Sequence, residues 1–312
     1  TILPERGRSV QASTVERSAK RATAGPARDA RPTGQWRLVA RSLSRHPTGL
    51  TGGIILGLLI AMAVFAPVVA PYDPLKTAFR GRLVPPTWRH PFGTDNLGRD
   101  ILSRAIFGAR LSLGSGVIAV AISAAGGTLL GVISGYYRGL VDAALMALTD
   151  LFLALPGILV SMVFIFSFGP SLTNVAIAVG LASIPYYTRI ARGSVLSVRE
   201  QVYVEAARVV GAPDWEIMIR HVLPNIVAPI LVVATLGFGS TILIIASLSF
   251  LGLGAQPPTP EWGAIVSDGR SRIATAWWIS TFGGVAIMLT VLAVNLLGDA
   301  LRDALDPRLR RR

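Results

Sequence analysis

The feature that most constrains this chain is the length of its uncharged runs. Asp, Glu, Lys and Arg are all missing from Pro47–Tyr72, Leu111–Tyr137, Leu151–Thr188, His221–Pro260 and Ile273–Gly298. A helix needs about 20 apolar residues to cross a bilayer, whereas a soluble domain of this length can bury a core without such runs. Charged residues make up 15% of the chain and hydrophobic ones 52%, against roughly 25% charged in soluble domains. The chain therefore reads as an all-α membrane protein. Leu151–Thr188 is too long for one span, and Gly169–Ser171 breaks it. Six transmembrane helices result, at about Leu50–Ala70, Leu111–Tyr137, Ala144–Phe168, Leu172–Thr188, Ile226–Leu248 and Ile273–Gly298. The last begins near the aromatic pair Trp277 and Trp278, suited to an interface.

The formal net charge is +13. Much of the excess flanks the apolar segments, in the first 45 residues and after Asp306. That is how Lys and Arg hold helix ends on the cytoplasmic side, so the charge points to the lipid bilayer and not to nucleic acid. Six spans put both basic termini in the cytoplasm; seven would separate them. The expected location is the cytoplasmic (inner) membrane of a prokaryote. One loop resists: Pro71–Arg110, external in this topology, carries seven basic residues against Asp73, Asp95 and Asp100. The charge rule is weak for long loops, and the topology stands. The expected organisation is a basic, largely disordered arm over 1–45, a first span and external loop over 46–110, a core over 111–305 and a basic tail over 306–312. The arm has no apolar core of a signal peptide. Its last part, around Trp36, is either a short interfacial helix or a solvated tail.

The topology places 189–224 in the cytoplasm. The spacing predicts two helices there. The first covers about Val198–Val209, with Gly211 as its stop. The second restarts at Pro213, with Asp214 and Glu216 at its positive end. Trp215, Ile219 and Val222 fall near one face, and Pro224 marks the boundary with the next span. The product is a compact knob.

There are no cysteines, no HExxH pair and no GxxxxGK[ST] phosphate loop; the two lysines are Lys20 and Lys76. No catalytic residue, bound cofactor or metal is expected in the chain. The spans also lack ionisable groups at depth, the usual mark of proton coupling, with Asp142 and Asp150 at the end of the third. A transporter of this kind borrows its energy. Tyr186, Ser240, Thr241, Ser247 and Asn295 either line a translocation path or, for the small residues, let helices pack closely. In the external loop, Thr94 or Asp95 is expected to cap a short interfacial helix whose apolar face is Ile101, Leu102, Ala105, Ile106 and Ala109. Pro156 and Pro185 either kink their helices or are tolerated.

The stretch Glu205–Pro224, with Glu205, Ala206, Ala207, Gly211, Leu223 and Pro224 in register, resembles the "EAA" loop of permease subunits of ABC importers. His221 stands where the general pattern has Ile. His90–Leu113, Ser247–Gly263 and Asn295–Arg310 resemble the dipeptide/oligopeptide/nickel permeases, and the set in order resembles the C-type subunit of a dipeptide permease pair. The resemblance covers about Arg45 to the C-terminus. It implies the type I ABC importer permease (MetI-like) fold, a B-type partner permease, two cytoplasmic ATPase subunits that hold ATP and Mg, and an extracytoplasmic solute-binding protein. It implies that Glu205, Ala206, Ala207 and Gly211 contact the ATPase, and that short peptides are imported. The competing readings are a self-contained secondary transporter or channel and, last, an intramembrane hydrolase, for which the spans hold no His–Ser or paired-carboxylate set.

Overall fold

The computed structural model describes residues 47–305. The arm over 1–45, with its Trp36 segment, and the tail over 306–312 lie outside the described residues. Regular structure over 47–305 is helical, with loops at 70–100 and 251–261 and one isolated bridge between Thr94 and Asp100. The helices are α1 (Pro47–Val64), α2 (Ala66–Val69), α3 (Ile101–Tyr137), α4 (Gly139–Leu153), α5 (Gly157–Phe168), α6 (Leu172–Arg199), α7 (Val202–Val209), α8 (Asp214–Ile217), α9 (Leu223–Phe250), α10 (Trp262–Gly269) and α11 (Trp277–Leu305). Four stretches are long and apolar enough to cross a membrane: α1, α3, the run Asp214–Phe250, and α11 over Trp277–Ala304. The pair α4 and α5 makes a fifth if counted as one span, although it is bent by 92° at its break.

That break lies at Ala154–Pro156, so Pro156 does kink this span. Proline there supplies no backbone N–H and ends the preceding helix. Gly169, at φ +85°, closes α5, and Ser171 opens α6 by accepting a hydrogen bond from the Asn174 N–H at 3.1 Å. The sequence boundary at Gly169–Ser171 is therefore the observed one. α6 continues past Thr188 to Arg199.

The expected short interfacial helix is the first part of α3, a single rod of about 55 Å at 1.5 Å per residue. Its cap is Asp100, which accepts from the Ser103 N–H at 2.8 Å. Thr94 and Asp95 do not cap it, because both are already engaged within the loop. Asp95 Oδ1 accepts from the N–H groups of Leu97 and Arg99, and the Thr94 hydroxyl bonds Gly81 O at 2.6 Å. Ile101, Ala105, Ile106 and Ala109 are buried, as their spacing implies, and Leu102 is half-buried.

α3 and α6 form the main seam. Small residues permit it: a Cβ at Gly131 would lie 2.5 Å from Ala191 Cβ, and one at Gly135 would lie 2.9 Å from Val195 Cβ. Backbones that approach this closely gain dispersion contacts, which drive helix association in lipid. Residues of α5 and α9 close around Ala119 and Val179 of that seam, with Ile165, Ile245 and Leu248 buried there.

Candidate functional site

The predicted knob exists, with corrected edges. Val198 and Arg199 belong to α6, and the knob's first helix begins only at Val202. Its stop is Gly211 at φ +87°. The Ala212 N–H reaches Ala207 O at 3.1 Å and the Gly211 N–H reaches Arg208 O at 3.0 Å. This is the Schellman pattern, which needs a left-handed residue where side chains cost about 1–2 kcal/mol. Pro213 precedes the second helix as its cap and is not its first residue. Pro224 is not a boundary either. α8 runs through one wide turn, Met218–Val222, into α9, with Pro224 in the first turn of that helix. The widened turn accommodates the missing N–H and the ring of Pro224 without a break. Any displacement of α8 is therefore passed directly to α9.

The knob is fastened to the far end of α3. Val204, Ile217, Val222 and Ile226 are buried against Val132 and Tyr136 of α3 and Val195 of α6. The Tyr136 hydroxyl donates to Asp214 Oδ1 at 2.6 Å. Arg199 and Arg208 lie 5.9 and 5.7 Å from the centre of the Tyr136 ring, and Arg199 also donates to Tyr136 O. The buried face thus uses Ile217 and Val222, while Trp215 and Ile219, expected on it, are exposed. The widened turn takes Ile219 off the face of Val222, because it shifts the angular register of the residues that follow Ile217; Trp215 precedes it and lies off the Ile217 face.

Glu205 and Ala206 are exposed and Ala207 is half-buried on Val204's helix. Beside them Val202, Val209 and Val210 are 80%, 82% and 87% exposed. The four residues predicted to meet a partner are together, on a surface that is fixed from behind and apolar in front. Exposed apolar patches of this kind are common at interaction sites.

The path candidates are less unified. The hydroxyls of Thr241 and Ser247 bond carbonyls of their own helix, Gly237 O at 2.9 Å and Leu243 O at 2.7 Å. Thr241 is buried, while Ser240, Ser247, Asn295 and Tyr186 are exposed. Asn295 faces α9 at Gly239, where a Cβ would be 3.4 Å from its Oδ1. Tyr186 is on α6 and stacks edge-on with Tyr187; no hydrogen bond among the described residues joins it to the others.

At the opposite end of α3 is a buried ion network. Asp95 Oδ2 accepts from Arg99 Nε at 2.6 Å and from Arg104 at 3.1 Å, and Asp268 of α10 accepts from Arg104 at 3.0 Å. Burial pushes the Asp268 carboxyl above its ordinary range, although Arg104 and Arg99 pull it down. Next to the network Trp262 is fully buried, its indole N–H on Ala105 O at 2.9 Å, and Glu261 accepts from the Ser112 hydroxyl at 3.1 Å. Burial likewise raises the Glu261 carboxyl. The Trp278 N–H holds Thr94 O at 3.0 Å. Asp95 and Arg99 pair within four residues, but Asp268, Glu261 and Tyr136 were not singled out by the sequence. Asp268 meets Arg104, Tyr136 meets Asp214 and Glu261 meets Ser112, each more than 75 residues distant; only the cap that Glu261 makes with the Ala264 N–H is local.

Residues 127–311 match the family model for the binding-protein-dependent transport system inner membrane component. The chain belongs to that family. Residues 34–86 also match the N-terminal transmembrane domain of oligopeptide transport permease C. Among curated relatives of this transport protein, a di/tripeptide transport system permease protein of Pseudomonas aeruginosa is 47% identical over 85% of this chain and 90% of its own length. A probable D,D-dipeptide transport system permease protein of Escherichia coli is 42% identical, over 85% and 89%. A glutathione transport system permease protein of Escherichia coli is 46% identical, over 88% and 91%.

Proposed function

We propose that the chain is one of two permease subunits of an ATP-driven importer that carries dipeptides or short peptides across the inner membrane. The carrying observation is the knob at α7 and α8. It is anchored through Tyr136 and Asp214, exposed at Glu205, Ala206, Val209 and Val210, and continuous with α9. A partner ATPase that grips this surface moves α9 through the helix that joins them. Glu205 offers a carboxylate to a basic group on the ATPase, Ala206 and Ala207 allow close approach, and Gly211 holds the turn. ATP and Mg reside on the ATPases.

In this reading six helices span the bilayer, with α6 as the fourth span and α4–α5 as a broken third. Both termini and the knob are cytoplasmic. A homologous second permease completes the path, with Tyr186, Ser240, Thr241, Ser247 and Asn295 towards it, and a solute-binding protein delivers the peptide. The peptide class follows the named relatives, all three of which are peptide or glutathione permeases.

The test is the variant Glu205→Ala/Gly211→Ala in the assembled complex. Expected are loss of ATP-driven peptide uptake and weak ATPase pull-down, at an unchanged helical content. Undiminished uptake and pull-down would remove the coupling assignment. A stable, active complex isolated without a second type of permease would remove the pairing.

A further inference from the structure

Hydroxyls on the long helices bond back to their own helix. Ser183 donates to Val179 O at 2.8 Å, Thr188 to Ile184 O at 2.9 Å and Thr241 to Gly237 O at 2.9 Å. Tyr187 of α6 is different. Its side chain is 3% exposed, and its hydroxyl has no hydrogen-bond partner among the described residues. A phenol is too long and too stiff to reach the carbonyl one turn behind it, so it depends on a neighbouring helix. Tyr187 lies where three helices meet. A Cβ at Gly127 of α3 would overlap Tyr187 Cβ, and one at Gly237 of α9 would lie 2.9 Å from Tyr187 Oη. Ala191 of α6 and Ile230 of α9 are buried in the same cluster, with Ala124, Val233 and Ala234 against it.

Two acceptors are close to the orphaned hydroxyl, and it uses neither. Gly237 O already accepts from the Thr241 hydroxyl, besides the backbone bond of its own helix. Ser123, one turn before Gly127 on α3, is 2% exposed and stands beside the phenol. Its hydroxyl donates to Val120 O at 3.1 Å, which leaves its oxygen lone pairs for an incoming donor. The contact with Gly237 closes the α9 side of the phenol. The hydroxyl is thus wedged between an acceptor that is taken and one that it does not reach.

We infer that Tyr187 is a positioning residue for transport: α9 at Gly237 holds its hydroxyl unbonded in the arrangement seen here, and withdrawal of α9 lets it donate to Ser123 Oγ. A buried polar group without a partner costs free energy, and no water compensates for it inside a bilayer. The hydroxyl therefore disfavours the present packing of α9 and favours the displaced one. Such a difference shifts the populations of two states by its own size and no more. Tyr186, the neighbouring residue proposed for the path, stacks edge-on with Tyr187 at 5.7 Å, so a swing of the phenol reaches that ring. The inference rests on the reading that the knob moves α9, and it names the group that sets how readily α9 moves.

The chain has no cysteine, so Thr173→Cys on α6 and Leu251→Cys at the end of α9, both exposed, can carry spin labels. The assembled complex, its other subunits freed of cysteine, is placed in lipid discs and titrated with a non-hydrolysable ATP analogue. The label-to-label distance is recorded at each concentration, and wild type is expected to convert from one distance to another. Tyr187→Phe should raise the concentration for half-conversion about 5–100-fold, because the present arrangement loses its unbonded hydroxyl and the displaced one loses a hydrogen bond. Its melting temperature without nucleotide should be equal to wild type or higher. Ser123→Ala should raise the half-conversion concentration too, and should add nothing to Tyr187→Phe. Gly237→Ala should lower it, since its methyl presses on the hydroxyl, and this effect should shrink in the Tyr187→Phe background. Half-conversion that ignores both Tyr187→Phe and Gly237→Ala would overturn the inference while leaving the coupling reading intact. A lower melting temperature for Tyr187→Phe with unchanged half-conversion would show that the hydroxyl is bonded in the present arrangement, and would overturn it as well. A wild-type distance that never changes would instead strike the reading on which the inference rests.

Discussion

The two ends of α3 use charge in opposite ways. At the knob end, arginines on the surface meet carboxylates there, Arg138 with Glu200, Arg189 with Asp150 and Arg220 with Glu216, and a half-buried Arg192 grips Asp142 with two bonds. At the other end the carboxylates are withdrawn into a buried network with Arg99 and Arg104, and the remaining cations face outward alone. Exposed pairs contribute roughly 0–1 kcal/mol each, so the knob end is held chiefly by its apolar cluster, by Tyr136 and by the half-buried Arg192–Asp142 pair. The network end is held by ions that are costly to leave unpaired. One end is an exposed surface held from behind, and the other is tied together by buried ions.

This contrast can be broken most forcefully at Arg104. Arg104→Ala leaves Asp95 and Asp268 short of a partner in a buried site, and a loss of about 3–5 kcal/mol is expected. The check is thermal unfolding of the solubilised complex, where a change within error would mean that the network does not hold α10 to α3. Next in size is Tyr136→Phe, which removes the hydroxyl that donates to Asp214. About 1.5–3 kcal/mol of knob anchoring should be lost. Amide exchange should accelerate over 202–222 but not near Trp262; equal protection at both places contradicts the separation of the two ends.

A smaller and pH-dependent effect is expected at Glu261. Its carboxyl is raised by burial, so its contribution to stability is full below the unfolded-state value. It is lost as pH rises through the raised folded value. Glu261→Gln is neutral at every pH, and its stability relative to wild type should improve as pH increases through that window. A difference that stays flat across the melting series would show that the buried carboxyl is not protonated in the fold. The smallest effect belongs to Arg220→Ala, which removes an exposed pair four residues apart on one helix. About 0.5 kcal/mol or less is at stake, and a larger shift in melting would mean that the knob surface contributes more to its own anchoring than its exposure implies.

Much of this organisation was legible beforehand because it is local. Uncharged runs located the apolar helices, Gly169–Ser171 marked a true break, and Gly211 marked a true turn. Each follows from backbone rules that act within a few residues. The predicted cap at Thr94 or Asp95 failed because the loop folds back on itself and engages both side chains before the helix begins. The boundary at Pro224 failed because a wide turn upstream absorbs the proline. Neither compensation leaves a mark in the short windows from which caps and breaks are read. The proposed contact residues Glu205, Ala206, Ala207 and Gly211 came from a sequence pattern, whereas Tyr136, which anchors the knob that carries them, left no mark in it.

The amino-acid sequence by itself determined the solvent this chain belongs in, the placing of its apolar helices and the helix–turn–helix at 202–222. Hydrocarbon length and backbone hydrogen bonding dictate those features residue by residue. Tertiary structure alone decided which charges are free. Seven basic residues against three acidic ones in Pro71–Arg110 is only a count until folding buries Asp95, Asp100, Arg99 and Arg104 and leaves Lys76, Arg80, Arg82 and Arg89 outside. Burial depends on contacts such as Arg104 with Asp268, which are formed between segments far apart in the chain and brought together only by the packing of α3, α10 and α11.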